Sequence, residues 1–352
     1  MYERTPDTPS IGRHCYTGPQ PETGTISLNR SLSLFQSLQD SLGRLVVGQS
    51  ALAERLTIGL LANGHLLIEG APGLAKTRAV KVLASLIDAS FKRIQFTPDL
   101  LPSDITGTDI FKPNAGSFEF QTGPIFNQLV LADEINRAPA KVQSALLEAM
   151  GEQQVSIGNN TYLMPDLFMV VATQNPIEHE GTYHLPEAQL DRFLLHINIR
   201  YPLPAAENEI LELARAELYQ DQTQTSTAIL DAQTVFDARR EIMTLHMNEA
   251  VQRYLIELVV ATRDAAAYKT QSAARLQGDI EFGVSPRATI AIDRCSRARA
   301  WLSGRDYVTP DDIQAVAHDC LRHRLVLSLD AESRGISRDA VIDDLLNLVP
   351  VI

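Results

Sequence analysis

The chain has 352 residues, of which 45% are hydrophobic and 21% charged, and a formal net charge of -12; this excludes a largely disordered polypeptide and suggests two domains at roughly 150 residues each. Such a negative balance disfavours sequence-independent binding to nucleic-acid backbones or to anionic lipid surfaces. No apolar run nears the roughly 18 residues of a spanning helix, and the opening MYERTPDTPS lacks the basic-then-apolar order of a secretory signal, so a cytoplasmic location without membrane insertion is expected.

Residues 1–28 are rich in Pro, Thr, Gly and Ser without sustained apolar periodicity, which predicts a flexible N-terminal tail. His14 and Cys15 fall in it, and Cys15, Cys295 and Cys320 are too scattered to form a CxxC clamp, so all three are expected as free thiols. From Leu34 to Leu61 apolar residues recur at helical spacing on both sides of Val47-Gly48-Gln49, predicting two amphipathic helices. Short apolar runs follow at 65–70, 91–97, 128–133, 167–173 and 193–199. Runs of this length, rich in β-branched residues and bounded by turn residues, read as strands. Helical patterns at Ala75–Ile87 and Lys141–Met150 separate them, and that alternation implies a parallel sheet covered on both faces.

Two stretches interrupt the alternation. DITGTDIFKPNAGSFEFQT at 104–122 carries Gly, Pro and Asn breaks, and QQVSIGNNTYLM at 153–164 centres on Gly158-Asn159-Asn160, a hairpin signal. Both read as insertions. After Pro202 and Pro204 the pattern turns helical, near 206–219, 248–268, 286–302 and 310–323, which predicts a separate helical domain with Trp301 in its core. The expected division is a tail at 1–28, an α/β domain at 29–203 and a helical domain at 204–352.

Directly after the first strand stands Gly70-Ala71-Pro72-Gly73-Leu74-Ala75-Lys76-Thr77, leading into a helical pattern. Small residues let successive backbone N–H groups turn inward around the β- and γ-phosphates of a nucleotide, the helix N-terminus adds a positive dipole, Lys76 supplies a point charge and Thr77 a hydroxyl for magnesium. Ala75 stands where the general pattern has Gly, which requires that it already have helical dihedrals. LVLADEINR ends a strand on Asp133 and Glu134, beyond the carboxyl edge where parallel sheets hold ligands. Asp133 is expected to hold magnesium through water and Glu134 to polarise the attacking water. The strand LFMVVAT runs into Gln174-Asn175-Pro176, which offers the Asn175 amide to the γ-phosphate or the water. Arg192, in LPEAQLDRFLL, either pairs internally or points at a neighbouring molecule's ATP.

In this set the chain resembles the AAA+ superfamily and, within it, the MoxR-type ATPases of the helix-2-insert group, over nearly all of residues 30–352. The residues that carry the resemblance are Val47-Gly48-Gln49, GAPGLAKT, LADEINRAP with KVQSALLEAM, ATQNP, LPEAQLDRF, GVSPRA at 283–288 and LRHRLVLS at 321–328. Alanine before the lysine is usual in that family. The resemblance implies an αβα sandwich with strand order 5-1-4-3-2 and an all-helical lid, with DITGTDIFKPNAGSFEFQT as the helix-2 insert and QQVSIGNNTYLM as the pre-sensor hairpin. It further implies ATP and Mg2+ as cofactors and assembly with other copies of the chain, usually into a hexameric ring. Arg192 is then the arginine finger reaching the next subunit's γ-phosphate, with Arg137 as the lesser candidate; Arg287 is the lid's phosphate-touching sensor; and Val47, Gly48 and Gln49 pack near adenine. A partner with a von Willebrand factor A domain is implied, and with it a chaperone or remodelling role in maturation or cofactor insertion. The alternatives are a chelatase-like motor subunit and a nucleic-acid-stimulated NTPase, the latter opposed by the charge. His179 and His184 match no zinc spacing, and the basic run IDRCSRARAWLSGR at 292–305 reads as a solvated lid face or subunit contact rather than a nucleic-acid patch.

Overall fold

A computed structural model describes residues 24–114, 116–158, 160–176, 182–219 and 228–351. His14, Cys15 and His179 lie outside them, as does most of the expected tail. Helix α1 spans Gly24–Leu45 and α2 Ser50–Leu61. Residues 24–28 therefore belong to a helix and not to the tail, because the backbone ladder of α1 runs several residues ahead of its apolar stripe. The chain then alternates as the sequence predicts: β1 (Leu66–Glu69), α3 (Lys76–Leu86), β2 (Phe91–Gln95), the insert of α4 (Pro102–Thr106), β3 (Gly107–Lys112) and β4 (Ser117–Thr122), β5 (Leu129–Asp133) and α5 (Ala140–Glu152). A second hairpin of β6 (Gln154–Ile157) and β7 (Asn160–Leu163) precedes β8 (Met169–Gln174), the short α6 (Glu187–Leu190) and β9 (Leu195–Asn198).

The five long-range strands pair in the order β2-β5-β8-β1-β9, every pairing parallel. Counted along the chain, this is the expected 5-1-4-3-2. Both insertions are separate antiparallel hairpins, and stacking of Phe120 on Tyr162 at 3.9 Å joins them. Burial alternates along the central strands: Leu129, Leu131, Met169 and Val171 face one core, Val130, Ala132, Val170 and Ala172 the other. Strands covered on both faces read as continuous apolar runs, and LVLAD does.

Helices α7 (Pro204–Tyr219), α8 (Ala232–Met243), α9 (Glu249–Ala261), α10 (Gln271–Asp279), α11 (Pro286–Leu302), α12 (Pro310–Leu321), α13 (Leu329–Ser333) and α14 (Arg338–Leu348) form the second half. A two-stranded antiparallel pair, β10 (Ile280–Phe282) and β11 (Val326–Leu327), sits among them apart from the main sheet. The helical half does not enclose a core of its own. Trp301 packs edge-on against Phe35 of α1 at 5.4 Å, and one buried cluster runs from β1 through α1 and α2 into α11 and α12. In the basic run at 292–305, Arg294 is exposed while Arg297, Arg299 and Arg305 pair within the chain. Arg299 and Arg305 both grip the Asp312 carboxylate, whose side chain is 0% exposed; although burial penalises its charge, hydrogen bonds from Arg305, Thr309 and Arg299 hold that carboxyl below its usual range.

His65, one residue before β1, locks the sheet's amino edge to α5. Its Nδ1 accepts from the Val170 N–H at 3.0 Å, which leaves Nε2 to donate to the Met150 carbonyl at 3.2 Å. Burial pushes this imidazole down to about 4. The unfolded chain therefore takes up a proton near pH 6.5 while the folded one resists, so the contribution is complete above pH 6.5 and lost as pH falls toward 4. We expect about 3 kcal/mol of stability to vanish over that window through His65 alone. Urea unfolding at a series of pH values should show a shallower acid dependence in His65→Gln; identical slopes would contradict the assignment.

Candidate active site

Residues 70–75 turn sharply between β1 and α3. Gly73 has φ 84° and Ala75 φ 57°, ψ 19°. Ala75 is thus left-handed rather than helical as the sequence reading required, a conformation that costs a residue with a Cβ about 1–2 kcal/mol. The turn imposes it because Lys76 must begin α3 at once. Lys76 Nζ donates to the Gly70 carbonyl at 2.7 Å and to the Gln174 carbonyl at 3.3 Å, tying the loop to the end of β8. Ala71 and Leu74 anchor it by burial. A cleft of about 400 Å³ opens over the loop, faced by Lys76, Thr77, Arg93, Asp133, Glu134 and Asn175.

The acidic pair is held by groups on both neighbouring strands. Asp133 Oδ1 accepts from the Thr173 hydroxyl of β8 at 2.6 Å, and its Oδ2 from Arg93 Nε and Nη2 of β2 at 3.0 and 2.6 Å. Glu134 turns off the strand at φ 56°, and its N–H donates to the same Thr173 hydroxyl at 2.9 Å. Its Oε2 accepts from Gln95 Nε2 at 2.8 Å and lies 3.2 Å from Arg137 Nε. One buried hydroxyl therefore ties the Asp133 carboxylate to the Glu134 backbone. Arg93, Gln95 and Thr173 escaped the sequence reading; the signal was the alternation in FKRIQ, which puts Arg93 and Gln95 on one side of β2 with Gln95 in register with Asp133.

For a magnesium ion, the hydroxyl of Thr77 and carboxylate of Asp133 offer hard oxygen donors in one cleft. No group of three or more His, Cys, Asp or Glu suited to a metal occurs among the described residues. The Thr77 and Asp133 oxygens suit an ion that takes one or two protein oxygens and fills its shell with water and phosphate. His184 is exposed and joins no such group.

On the far side of Pro72–Ala75 lies a cavity of about 260 Å³, more apolar than the first and lined by Val47, Gln49, Leu74, Tyr201, Ile210 and Leu213. Gln49 Nε2 donates to the Arg200 carbonyl at 3.1 Å, and Gly48, at φ 78°, packs on Pro202 and Ala206. The two cavities share the loop, so a nucleotide fits with base and phosphates on either side of it. A cavity of about 890 Å³ between α1, α2 and α11 is lined by Val47 and Gly48 but by none of residues 70–77, and mixes Asp40, Arg44, Glu54 and Arg299; chemistry, not size, identifies the site.

Arg192 and Arg287 are elsewhere. Leu194 pairs with His65 and Leu195 with Leu66, so Arg192 sits at the amino edge of the sheet, whereas the loop leaves its carboxyl edge. Four residues of strand separate the edges, about 13 Å at 3.3 Å per residue. Arg192 shares a second cleft of about 400 Å³ with Arg287, Arg294 and Arg324. Arg287 is brought there because Asp191 accepts from Ser285, the N-cap of α11, at 2.9 Å and from Arg324 Nε at 2.7 Å, with Arg287 Nη1 3.8 Å away. It therefore joins Arg192 rather than the loop of its own chain. Arg192 donates to the Leu147 carbonyl and Arg137 pairs with Glu134, both within the chain.

The sequence model of the ATPase family associated with various cellular activities matches residues 65–195, and that of an AAA lid domain matches residues 272–345. The chain is 46% identical over 306 residues to Chaperone MoxR1 of Mycobacterium tuberculosis, covering 87% of this chain and 79% of the relative. It is 41% identical over 312 residues to the uncharacterised protein YeaC of Bacillus subtilis, covering 89% and 93%. A crystal structure from Cytophaga hutchinsonii, of a protein provisionally assigned as an ATPase, superimposes with a TM-score of 0.86 at 44% identity, over 94% of this chain and 98% of that one.

The shared hydroxyl gives a direct test. Thr173→Val removes the donor to Asp133 and the acceptor for the Glu134 N–H without changing shape, and should lower turnover about 10- to 100-fold, the usual cost of losing a group that orients a reactive residue. Nucleotide titration should find ATP affinity nearly unchanged. Full turnover in this variant would mean the acidic pair is positioned by something else.

Proposed function

This chain belongs to the MoxR-type AAA+ ATPases and hydrolyses ATP; from that premise we propose that it is a magnesium-dependent, ring-forming chaperone that remodels a protein partner during maturation or cofactor insertion. The observation that carries the reading is the separation of the two clefts. A loop built to hold phosphate opens at the carboxyl edge of the sheet, while Arg192, Arg287, Arg294 and Arg324 line one cleft at the amino edge, where Asp191 holds Arg324 and lies near Arg287. Neither half reaches the other within one chain. Head-to-tail packing, which closes into rings, brings the arginines of one subunit to the phosphates of the next; six copies is the usual number in the family.

In this mechanism the loop amides and Lys76 bind the β- and γ-phosphates, and Val47, Gly48 and Gln49 flank the base. Thr77 and Asp133 would hold Mg2+, which when bound neutralises charge on the phosphate oxygens. Glu134 orients a water and draws its proton as the water's oxygen bonds to the γ-phosphorus and the bond to the ADP oxygen breaks. Asn175, 6% exposed beside Lys76 in the cleft, donates to the γ-phosphate or the water. Arg192, with Arg287 beside it, stabilises the charge from the adjacent subunit, an effect worth about 10³ to 10⁵ in phosphoryl-transfer enzymes.

The remodelling part rests on the insert. Phe111 and Phe118 touch at 5.3 Å on the β3–β4 hairpin and are 50% and 70% exposed, while Phe120 braces the hairpin on Tyr162. Exposed aromatic pairs on a braced support suit transient capture of apolar polypeptide. A relative sharing nearly half its residues is named a chaperone. A von Willebrand factor A-domain protein is the partner the family suggests, in the cytoplasm; among the described residues no helix is long and apolar enough to cross a membrane.

Lys76→Ala should abolish nucleotide binding, and Glu134→Gln should bind ATP normally while turning it over at least about 100-fold more slowly, with ATP sedimenting it as a closed ring. Retained turnover in either variant contradicts the site. For the remodelling step, Phe111→Ser combined with Phe118→Ser should keep basal hydrolysis within about twofold yet lose binding of a permanently unfolded probe, carboxymethylated α-lactalbumin. Undiminished probe binding would move the contact off the insert.

A further inference from the structure

Helix α5 ends in ALLEAMGE, with Gly151 inside its last turn. Glycine is the poorest helix former after proline, yet Gly151 stays within the helix, and the left-handed residue that ends it is Gln153, at φ 51°. The reason lies across the chain. A Cβ at Gly151 would overlap Arg192 Nη1 and come within 2.7 Å of Arg192 Cζ. The guanidinium lies across the bare backbone, and its Nη1 donates to the Leu147 carbonyl at 2.7 Å.

The surrounding backbone is fixed. The Met150 carbonyl faces His65 Nε2, and the Ala149 carbonyl accepts from the Gln153 N–H, so the carbonyl given to Arg192 is part of a fully engaged helix terminus. The negative end of the helix dipole favours a cation at that place. At its other end α5 begins at Ala140, close behind Glu134. Its 13 residues span about 20 Å, from the region of the chain's own carboxylate to the arginine at the opposite edge.

We propose that Gly151 is a positioning residue: its missing side chain forms, with the Leu147 carbonyl, a seat on α5 that aims Arg192 at the neighbouring subunit and ties it to the helix that follows Glu134. This rests on Arg192 acting on the adjacent subunit's ATP. A methyl group here meets the flexible end of an arginine rather than backbone, so Gly151→Ala displaces the finger and spares the fold.

The test compares the full-length wild type, Gly151→Ala, Arg192→Ala and the double variant in steady-state hydrolysis and thermal unfolding. Gly151→Ala should lower kcat about tenfold or more with KM for ATP within about twofold, and should add less than about twofold to the loss in the Arg192→Ala background. It should also raise Tm more in the Arg192→Ala background than with the arginine present, because only the latter must move. Equal Tm shifts in both backgrounds, or an undiminished kcat in Gly151→Ala while Arg192→Ala is inactive, overturn the seat and leave the finger standing. Full turnover in Arg192→Ala overturns the finger and the proposal with it.

Discussion

A parallel sheet has two unlike edges, and the phosphate loop, the acidic pair, Asn175 and Arg192 are sorted by which edge they leave. All five core strands run the same way, so the loop after β1, the acidic pair after β5 and Asn175 after β8 collect at one end. Segments that enter strands collect at the other, which is where Arg192 stands. The strands are too short to hide this separation and too rigid to bridge it. In the proposed function catalysis draws on both ends, and this topology is what makes that proposal intermolecular.

The carboxyl edge is held by polar economy. Asp133 is nearly buried, and its oxygens are met by Thr173 and Arg93, so a costly buried charge is satisfied on both sides. Glu134, turned outward by a left-handed backbone, is steadied by Gln95 and Arg137. Left-handed residues with side chains are rare outside turns and functional sites. Here Ala75 and Glu134 both adopt that conformation within one cleft, and the packed strands behind them hold it in place.

Much of this was legible from residues alone, for physical reasons. LVLAD and HLLIEG read as buried strands because they are short, apolar and bounded by turn residues. The Gly-Pro-Gly loop read because phosphate contact demands small residues, and the two hairpins because their turn residues interrupt the alternation. What failed to read depends on distant partners. Helices α8, α10 and α14 went unread because each buries only a narrow stripe: Val235, Ala238 and Ile242 in α8, Ala273 and Leu276 in α10, and Val341, Ile342 and Leu345 in α14. The helical pattern at 248–268 conceals a break after Ala261, where Thr262 turns to cap Val284. Ala75 read as helical because nothing local reveals that the loop ends in a left-handed turn. Arg287 matched a phosphate sensor by motif, yet its position is set by Ser285 and Arg324 converging on Asp191, contacts that no single segment encodes.

The central claim is that one active site is assembled from two chains, each lending a different edge. Its most direct measurement is complementation: Arg192→Ala and Lys76→Ala, each inactive alone, are mixed in varying ratio and hydrolysis is followed. Recovery of turnover that peaks near equal amounts is predicted, since intact loops then meet intact arginines across mixed contacts. Activity that never exceeds the weighted sum of the two separate proteins would contradict the account, and with it the assignment of Arg192 to a neighbour's phosphate.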